Sequence, residues 1–369
     1  MMQERAPGTA RYVREQIAEL ISRPVPWDWV VAVPEGFAHE FPCHEGCEIV
    51  ELPGKKYSVF AMFRVARLWR QRQCMAGFSP AGIAALFSPL LCNYFDSNIF
   101  EYGKTWATSG EWARSHLLKW MAMDAFRRAK AVFVNSAYCA EYLKKRFPGF
   151  SKKFIVNHGI LKTVISTPER PDWADERMDR QGIILCSSAF SDNKNQRRLI
   201  EAYGVLQASR RELPPLVLIG PCPTAYFKSV IRPVWESLPQ PAQVIVPGYV
   251  SEGVLGWALI NAKVLIQPSF AEGFSSLSVF QAMQSGIPVA CSNTTSHPEG
   301  VGTAALLFNP ASVEDIAGAL VRLLDDEALR FRLREEGFQR VAELTWTANG
   351  DRVCVQITKL LEHTRKQDI

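Results

Sequence analysis

The segment "VLIQPSFAEGFSSLSVFQAMQSGIPVACSNTTSHPEGVGTAALLFNPASVEDIAGALVRLLDD", Val264 to Asp326, decides how the chain folds. It opens with an apolar run that stops at Pro268. The loop after it carries one carboxylate, Glu272, one glycine, Gly273, and several hydroxyls. A short apolar helix with Val279, Phe280 and Met283 is broken at Gly286 and Pro288, and "IPVACSN" is a second apolar run. Short apolar runs bounded by turn residues read as strands buried on both faces. "SVEDIAGALVRLLDD" (312–326) and "EALRFRLREEGFQRVAEL" (327–344) have the spacing of amphipathic helices.

The pattern extends toward the N-terminus. "GIILCSS" (182–188), "PLVLIG" (215–220), "QVIVPGYV" (243–250) and "KVLIQPS" (263–269) are predicted strands. "NQRRLIEAYGVLQASR" (195–210) and "GVLGWALINA" (253–262) are predicted helices. Strands alternating with helices predict a parallel sheet covered on both faces, a Rossmann-like domain. The first half is α/β as well: helices over 10–21 and 137–147, strands over 27–34, 47–53, 131–136 and 153–160. Residues 80–128 are rich in aromatics and show no clear period. The polar stretch "STPERPDWADERMDRQ" (166–181), with two prolines, is the predicted linker.

With 369 residues, two domains of ordinary size are expected. The first residues lack the apolar core of a secretory signal, and no apolar stretch reaches membrane-spanning length. Nine cysteines, an odd number without a disulfide framework, point to a reducing cytoplasm. Residues 1–160 carry a net charge of +7 and residues 161–369 one of −2, which together give the overall +5. A basic first half suits an anionic partner such as a membrane surface, a phosphate or an acidic glycan, or is simply a basic surface. "VFAMFRVARLWRQRQ" (59–73), with Arg64, Arg67, Arg70 and Arg72 beside Phe60, Phe63 and Trp69, either lies on an anionic membrane or packs on the first domain's sheet. His39, Cys43, His44 and Cys47 are zinc-ligand types, but their spacing matches no common zinc module and a surface loop is the plainer reading.

Ligands of open parallel sheets bind beyond the carboxyl ends of strands, at the N-termini of the following helices. Two loops qualify. In "SSAFSDNKNQRRLIEAY" (187–203), Asp192 or Asn193 is predicted to cap the helix, which puts Lys194, Arg197 and Arg198 in or near its first turn. Cations there oppose the helix dipole at roughly 0.3–1 kcal/mol each, and a bound phosphate reverses that sign. Without a ligand the same residues are a solvated basic edge. In the second loop Ser275, Ser276 or Ser278 can cap the following helix, whose backbone N–H groups suit a pyrophosphate. Gly273 allows close backbone approach. A carboxylate is repelled by a pyrophosphate, so Glu272 is suited to sugar hydroxyls, or is an exposed loop glutamate.

The run from Val264 to Asp326 closely resembles the donor-binding domain of GT-B glycosyltransferases, specifically the retaining family 4. "NKNQRRLIEAY" resembles that family's phosphate-loop lysine region, "AKAVFVNSAYCAEYLKKRFPGFSKKFIVNHGI" (129–160) the end of its first domain, and "GTARYVREQIAEL" (8–20) its first helix. The resemblance covers about 130–345 and 8–20; residues 21–129 match loosely. It implies a GT-B fold, with two Rossmann-like domains facing across a cleft. These are an acceptor-side domain at 1–165 in which the family's first strand is either missing or encoded upstream of Met1, a donor-binding domain at 166–345, and a crossing helix at 346–369. It further implies transfer of a hexose from a GDP- or UDP-sugar to a glycan or polyprenyl-linked acceptor, with retention, without metal or cofactor, and with no nucleic acid partner. A cytoplasmic location at the inner membrane face and a role in cell-surface polysaccharide synthesis go with it.

On this resemblance Lys194 and Glu272 are the catalytic residues. Lys194, with Asn195 and Arg198, holds the diphosphate. Glu272, Gly273, Phe274, Ser275 and Ser276 surround the donor sugar, Gln281 stands where the ribose-binding glutamate is expected, and Gly248, Tyr249 and Val250 border the base. Three departures stand out. Gln281 replaces a glutamate, the spacing from Glu272 to Gln281 is one residue longer, and Ala189 stands where an arginine is often found. An extra residue within the helix would turn Gln281 by about 100°, so the loop at Ser275–Ser276 is expected to absorb it. The departures keep a degenerate, non-catalytic partner as the alternative, with a nucleotide-sugar epimerase behind it. Asp96, Glu101, Glu111, His116 and His158 are further first-domain candidates without an assigned role.

Overall fold

The computed structural model describes residues 8–42, 45–53, 59–80, 90–94, 119–120, 123–159, 167–209 and 212–365. The chain forms two compact units, Met1–Leu161 with Leu344–Ile369, and Lys162–Glu343. The sequence-level candidates Cys43, His44, Asp96, Glu101, Glu111 and His116 lie outside the described residues.

The second unit contains a six-stranded parallel sheet. Its strands, numbered after six in the first unit, are β7 (Ile183–Ser187), β8 (Leu216–Ile219), β9 (Val244–Gly248), β10 (Ala262–Gln267), β11 (Val289–Ser292) and β12 (Leu306–Phe308). Their order is β12-β11-β10-β7-β8-β9. β7 and β8 are apolar along their length because both faces are covered, and Ile184, Leu185, Leu216 and Val217 are fully buried. The helices Gln196–Ser209 and Val313–Asp325 bring Leu199, Tyr203, Ile316 and Leu320 into the same core. From β7 the chain proceeds outward through β8 and β9, then returns to place β10 on the other side of β7. Strand order therefore reverses between β7 and β10, and such a switch point opens a crevice at the carboxyl ends of the strands.

The first unit has a parallel pair, β1 (Trp29–Pro34) with β2 (Cys47–Leu52). It also has a four-stranded parallel sheet of β3 (Gly77–Ser79), β4 (Leu90–Tyr94), β5 (Ala129–Val134) and β6 (Phe154–Val156). The first described element is a helix, Gly8–Ile21, which packs on the last one, Trp346–Arg365. Gln16 donates to Asn349 at 2.9 Å in a buried contact, and Tyr12 meets Trp346 edge-on.

The predicted linker 166–181 is only partly a connector. Asp175 caps a helix over Glu176–Gln181, Met178 is buried, and Trp173 packs edge-on against Trp257. Its charged residues obscured one helical turn with a single buried anchor. The segment Thr224–Glu236, unread in the sequence, is helical through a π-turn. Residues 59–73 do form a helix, Val59–Gln71, with Ala66 and Leu68 buried while Phe63, Arg64, Arg67 and Arg70 are exposed.

Candidate functional site

The two loops selected from the sequence leave adjacent strands at the switch point. After β7 the chain makes a 3-10 turn at Asp192–Lys194, and Asn195 adopts a left-handed conformation (φ 58°) before the helix starts at Gln196. This corrects the predicted cap. Asp192 and Asn193 precede the helix by a turn, so Lys194 lies ahead of it and not in its first turn. The two asparagines fasten the β7 loop to the β10 loop. The Asn193 amide donates to the Ala271 carbonyl at 2.9 Å, and the Asn195 amide donates to Pro268 and Pro310 carbonyls at 3.0 and 2.8 Å. Asn tolerates the left-handed region at low cost, and its amide satisfies carbonyls that would otherwise be buried without a donor.

These bonds bring Lys194 to Glu272. Lys194 Nζ donates to Glu272 Oε1 at 2.5 Å, with 23% and 11% of the two side chains exposed. Burial acts to raise the Glu272 pKa, but the charge and hydrogen bond of Lys194, together with His297 and a hydrogen bond from Ser269, outweigh it and hold the carboxyl below its ordinary value. Arg198 is committed locally: it donates to Asn195 Oδ1 at 3.3 Å and its guanidinium lies over the Phe270 ring. Arg197 pairs with Glu201 in the exposed helix flank. Of the cations grouped by the sequence, the structure aims Lys194 at the carboxylate and turns the arginines to other tasks.

The helix of the opening segment runs over Leu277–Gln284. Ser276 is its N-cap residue but makes no side-chain cap; its hydroxyl pairs with Ser278, which in turn donates to Gln267 at 3.1 Å. The hydroxyls form a buried chain below the helix end, and the first-turn N–H groups are left without a serine cap. Ser275 and Ser276 lie in the loop before the helix, and Gln281 is on the helix's buried side, 9% exposed. Phe274 stacks on Phe280 at 5.2 Å. Gly248 ends β9 at the carboxyl end of the sheet, two strands from β7, and Tyr249 and Val250 follow it. Gly248 accepts from the N–H of Gly220, whose φ of 148° and 2.1 Å approach of a hypothetical Cβ to the Ser188 carbonyl admit only glycine.

The sequence reading missed the turn Thr294–His297. Thr294 donates to the Phe270 carbonyl at 3.0 Å, Thr295 accepts from the Glu272 N–H at 3.0 Å, and Ser296 donates to the Glu272 carbonyl at 2.6 Å. His297 Nδ1 pairs with the Ser275 hydroxyl at 2.7 Å. Four consecutive side chains thus grip the loop that carries Glu272, and Thr295 accepts a positive φ of 51° to do so. Burial pushes the His297 imidazole down to about 4, so it is neutral near pH 7. The signal available was a run of hydroxyls directly after a strand, "CSNTTSH". Among the described residues no cluster of three or more His, Cys, Asp or Glu side chains is arranged to hold a metal ion.

The sequence profile described as Glycosyl transferases group 1 matches residues 171–340. This region of the chain is a group 1 glycosyltransferase segment. The matched group 1 region contains every loop described above. O-antigen chain mannosyltransferase B of Escherichia coli is 32% identical over 166 residues, 45% of this chain and 43% of that protein. Serotype-specific mannosyltransferase WbdA of Escherichia coli is 30% identical over 252 residues, 66% of this chain and 30% of that protein. The chain thus spans less than half the length of these relatives. The structure of Anabaena Alr3699/HepE in complex with UDP-glucose superposes with a TM-score of 0.71 at 13% identity, over 97% of this chain and 98% of that one. The chain has the GT-B fold.

Proposed function

We propose that this chain is a retaining glycosyltransferase that moves a hexose from a nucleoside diphosphate sugar to a glycan or lipid-linked acceptor in polysaccharide synthesis. The observation that carries the reading is the Lys194–Glu272 pair at the switch point, beside the uncapped N-terminus of the Leu277–Gln284 helix. A cation and a helix N-terminus together suit a diphosphate, and a carboxylate one loop away suits sugar hydroxyls. As the glycosidic bond breaks, negative charge grows on the departing diphosphate. Lys194 and the helix N–H groups would stabilise that charge by electrostatic preorganisation. The names of the two Escherichia coli relatives favour mannose as the sugar. Contact with an anionic membrane fits the exposed Phe63, Arg64, Arg67 and Arg70 of the first unit. The test is the product's anomeric configuration, read by NMR after transfer from each of the UDP-, GDP- and ADP-sugars. Retention supports the reading and inversion contradicts it.

One observation favours a second reading, a non-catalytic partner: Gln281 is a neutral amide where a charged acceptor would grip ribose more strongly. Wild-type chain that binds no nucleotide sugar, together with Gln281→Glu that does, would favour it.

A further inference from the structure

His297 is fully buried, Ser275 occupies its Nδ1, and its Nε2 has no hydrogen-bond partner among the described residues. It lies within electrostatic range of both members of the Lys194–Glu272 pair. The other ionisable groups around it are few. Cys291 on β11 is a buried thiol kept protonated by its burial. Glu299 is on its own short helix, His297–Val301, and Arg340 of the Glu327–Glu343 helix donates to the Glu299 and Gly300 carbonyls. In the unliganded pocket the charges balance without His297, because the lysine neutralises the carboxylate.

A bound diphosphate changes that balance. It brings two negative charges to the switch point and competes for the Lys194 ammonium, while Glu272 remains a carboxylate in a site with 11% exposure. A buried charge that loses its partner is costly, and the nearest group able to become a cation is the imidazole. We propose that His297 is a positioning residue of the donor site, holding Ser275 in place and taking up a proton from solvent when a nucleotide sugar draws Lys194 from Glu272. In the imidazolium Nδ1 donates to Ser275, and the added positive charge offsets the negative charge that the lysine has left. The turn that grips Glu272 through Thr295 and Ser296 then also supplies its compensating charge. This rests on the donor-site reading above, with Lys194 facing the diphosphate.

The test is isothermal titration at about pH 6, close to the ordinary imidazole value. UDP-glucose and GDP-mannose are each titrated in two buffers of different ionisation enthalpy. Substituted diphosphates hold no proton near this pH, so a buffer-dependent heat reports protons moved by the protein. The expected result is net proton uptake by the wild type. His297→Asn, which keeps a polar partner for Ser275, is expected to bind with that uptake lost. Wild-type binding with no buffer dependence overturns the proposal, whether or not the variant folds. Equal uptake by wild type and His297→Asn overturns it as well. Absence of binding heat from both sugars overturns the donor-site reading and this proposal with it, whereas binding without uptake overturns this proposal alone.

Discussion

Lys194→Met removes the cation from a carboxylate that the fold cannot expose. Glu272 has 11% of its side chain accessible, and its backbone is fixed at both N–H and carbonyl by Thr295 and Ser296. Breaking a fully buried pair by deleting one partner costs about 3–5 kcal/mol. Lys194 is 23% exposed, so water reaches the site and the loss is discounted to about 1–3 kcal/mol. For a unit the size of Lys162–Glu343 this lowers Tm by about 3–10 °C. The sign of the pH dependence separates this from a packing defect. In the wild type the Glu272 pKa is depressed, so the pair's contribution is present above the ordinary carboxylate value and is lost as pH falls through the folded value. In Lys194→Met the strongest influence lowering that pKa is gone while burial persists, so the pKa rises, and the deficit is present near neutrality and shrinks as pH falls and the carboxyl protonates. Urea unfolding of Lys194→Met and of Lys194→Met with Glu272→Gln, at about pH 7 and about pH 5, measures both effects; the double variant is expected to regain most of the loss. Wild-type stability of Lys194→Met at neutral pH would refute the buried pair.

Three other perturbations address neighbouring parts of the account. The His297 pKa is depressed to about 4, so the unfolded chain binds the proton more readily; stability should fall by up to roughly 3 kcal/mol as pH drops from about 6.5 to about 4, and His297→Asn should flatten that limb in a pH series of urea unfolding curves. Gly300→Ala places a Cβ 2.6 Å from that of Ser275. The overpacking costs about 1–3 kcal/mol and pushes the loop out of the grip of Thr294–His297, so nucleotide-sugar affinity measured by titration should drop along with Tm. Replacing Arg64, Arg67 and Arg70 by Glu should abolish co-sedimentation with anionic vesicles, at about 1 kcal/mol per charge, while neutral vesicles bind neither form.

The sheet of the second unit was legible because strands such as "GIILC" and "PLVLIG" are apolar throughout, a pattern that burial on both faces dictates. The pairing of Lys194 with Glu272 was not legible. Each residue could be assigned to a ligand singly, but their contact depends on Asn193 and Asn195 tying together loops 73 to 78 residues apart. The helix cap failed at Asn195, where a left-handed residue delays the helix and local spacing gives no warning. The contacts of Arg198 with an asparagine three residues back and a distant phenylalanine were not legible, because they leave no charge pattern. The Thr294–His297 grip escaped notice because hydroxyl runs are common in loops, and only the fold shows three hydroxyls and an imidazole facing one segment.

The most direct test is release of nucleoside diphosphate from UDP-, GDP- and ADP-sugars in the presence of glycan and polyprenyl-linked acceptors, comparing the wild type with Glu272→Gln. The wild type is expected to give acceptor-dependent release from one of these donors, and Glu272→Gln to lose that release although the variant still folds. Equal release by both proteins would contradict the assignment of Glu272, and no release from any donor by the wild type would contradict the enzyme.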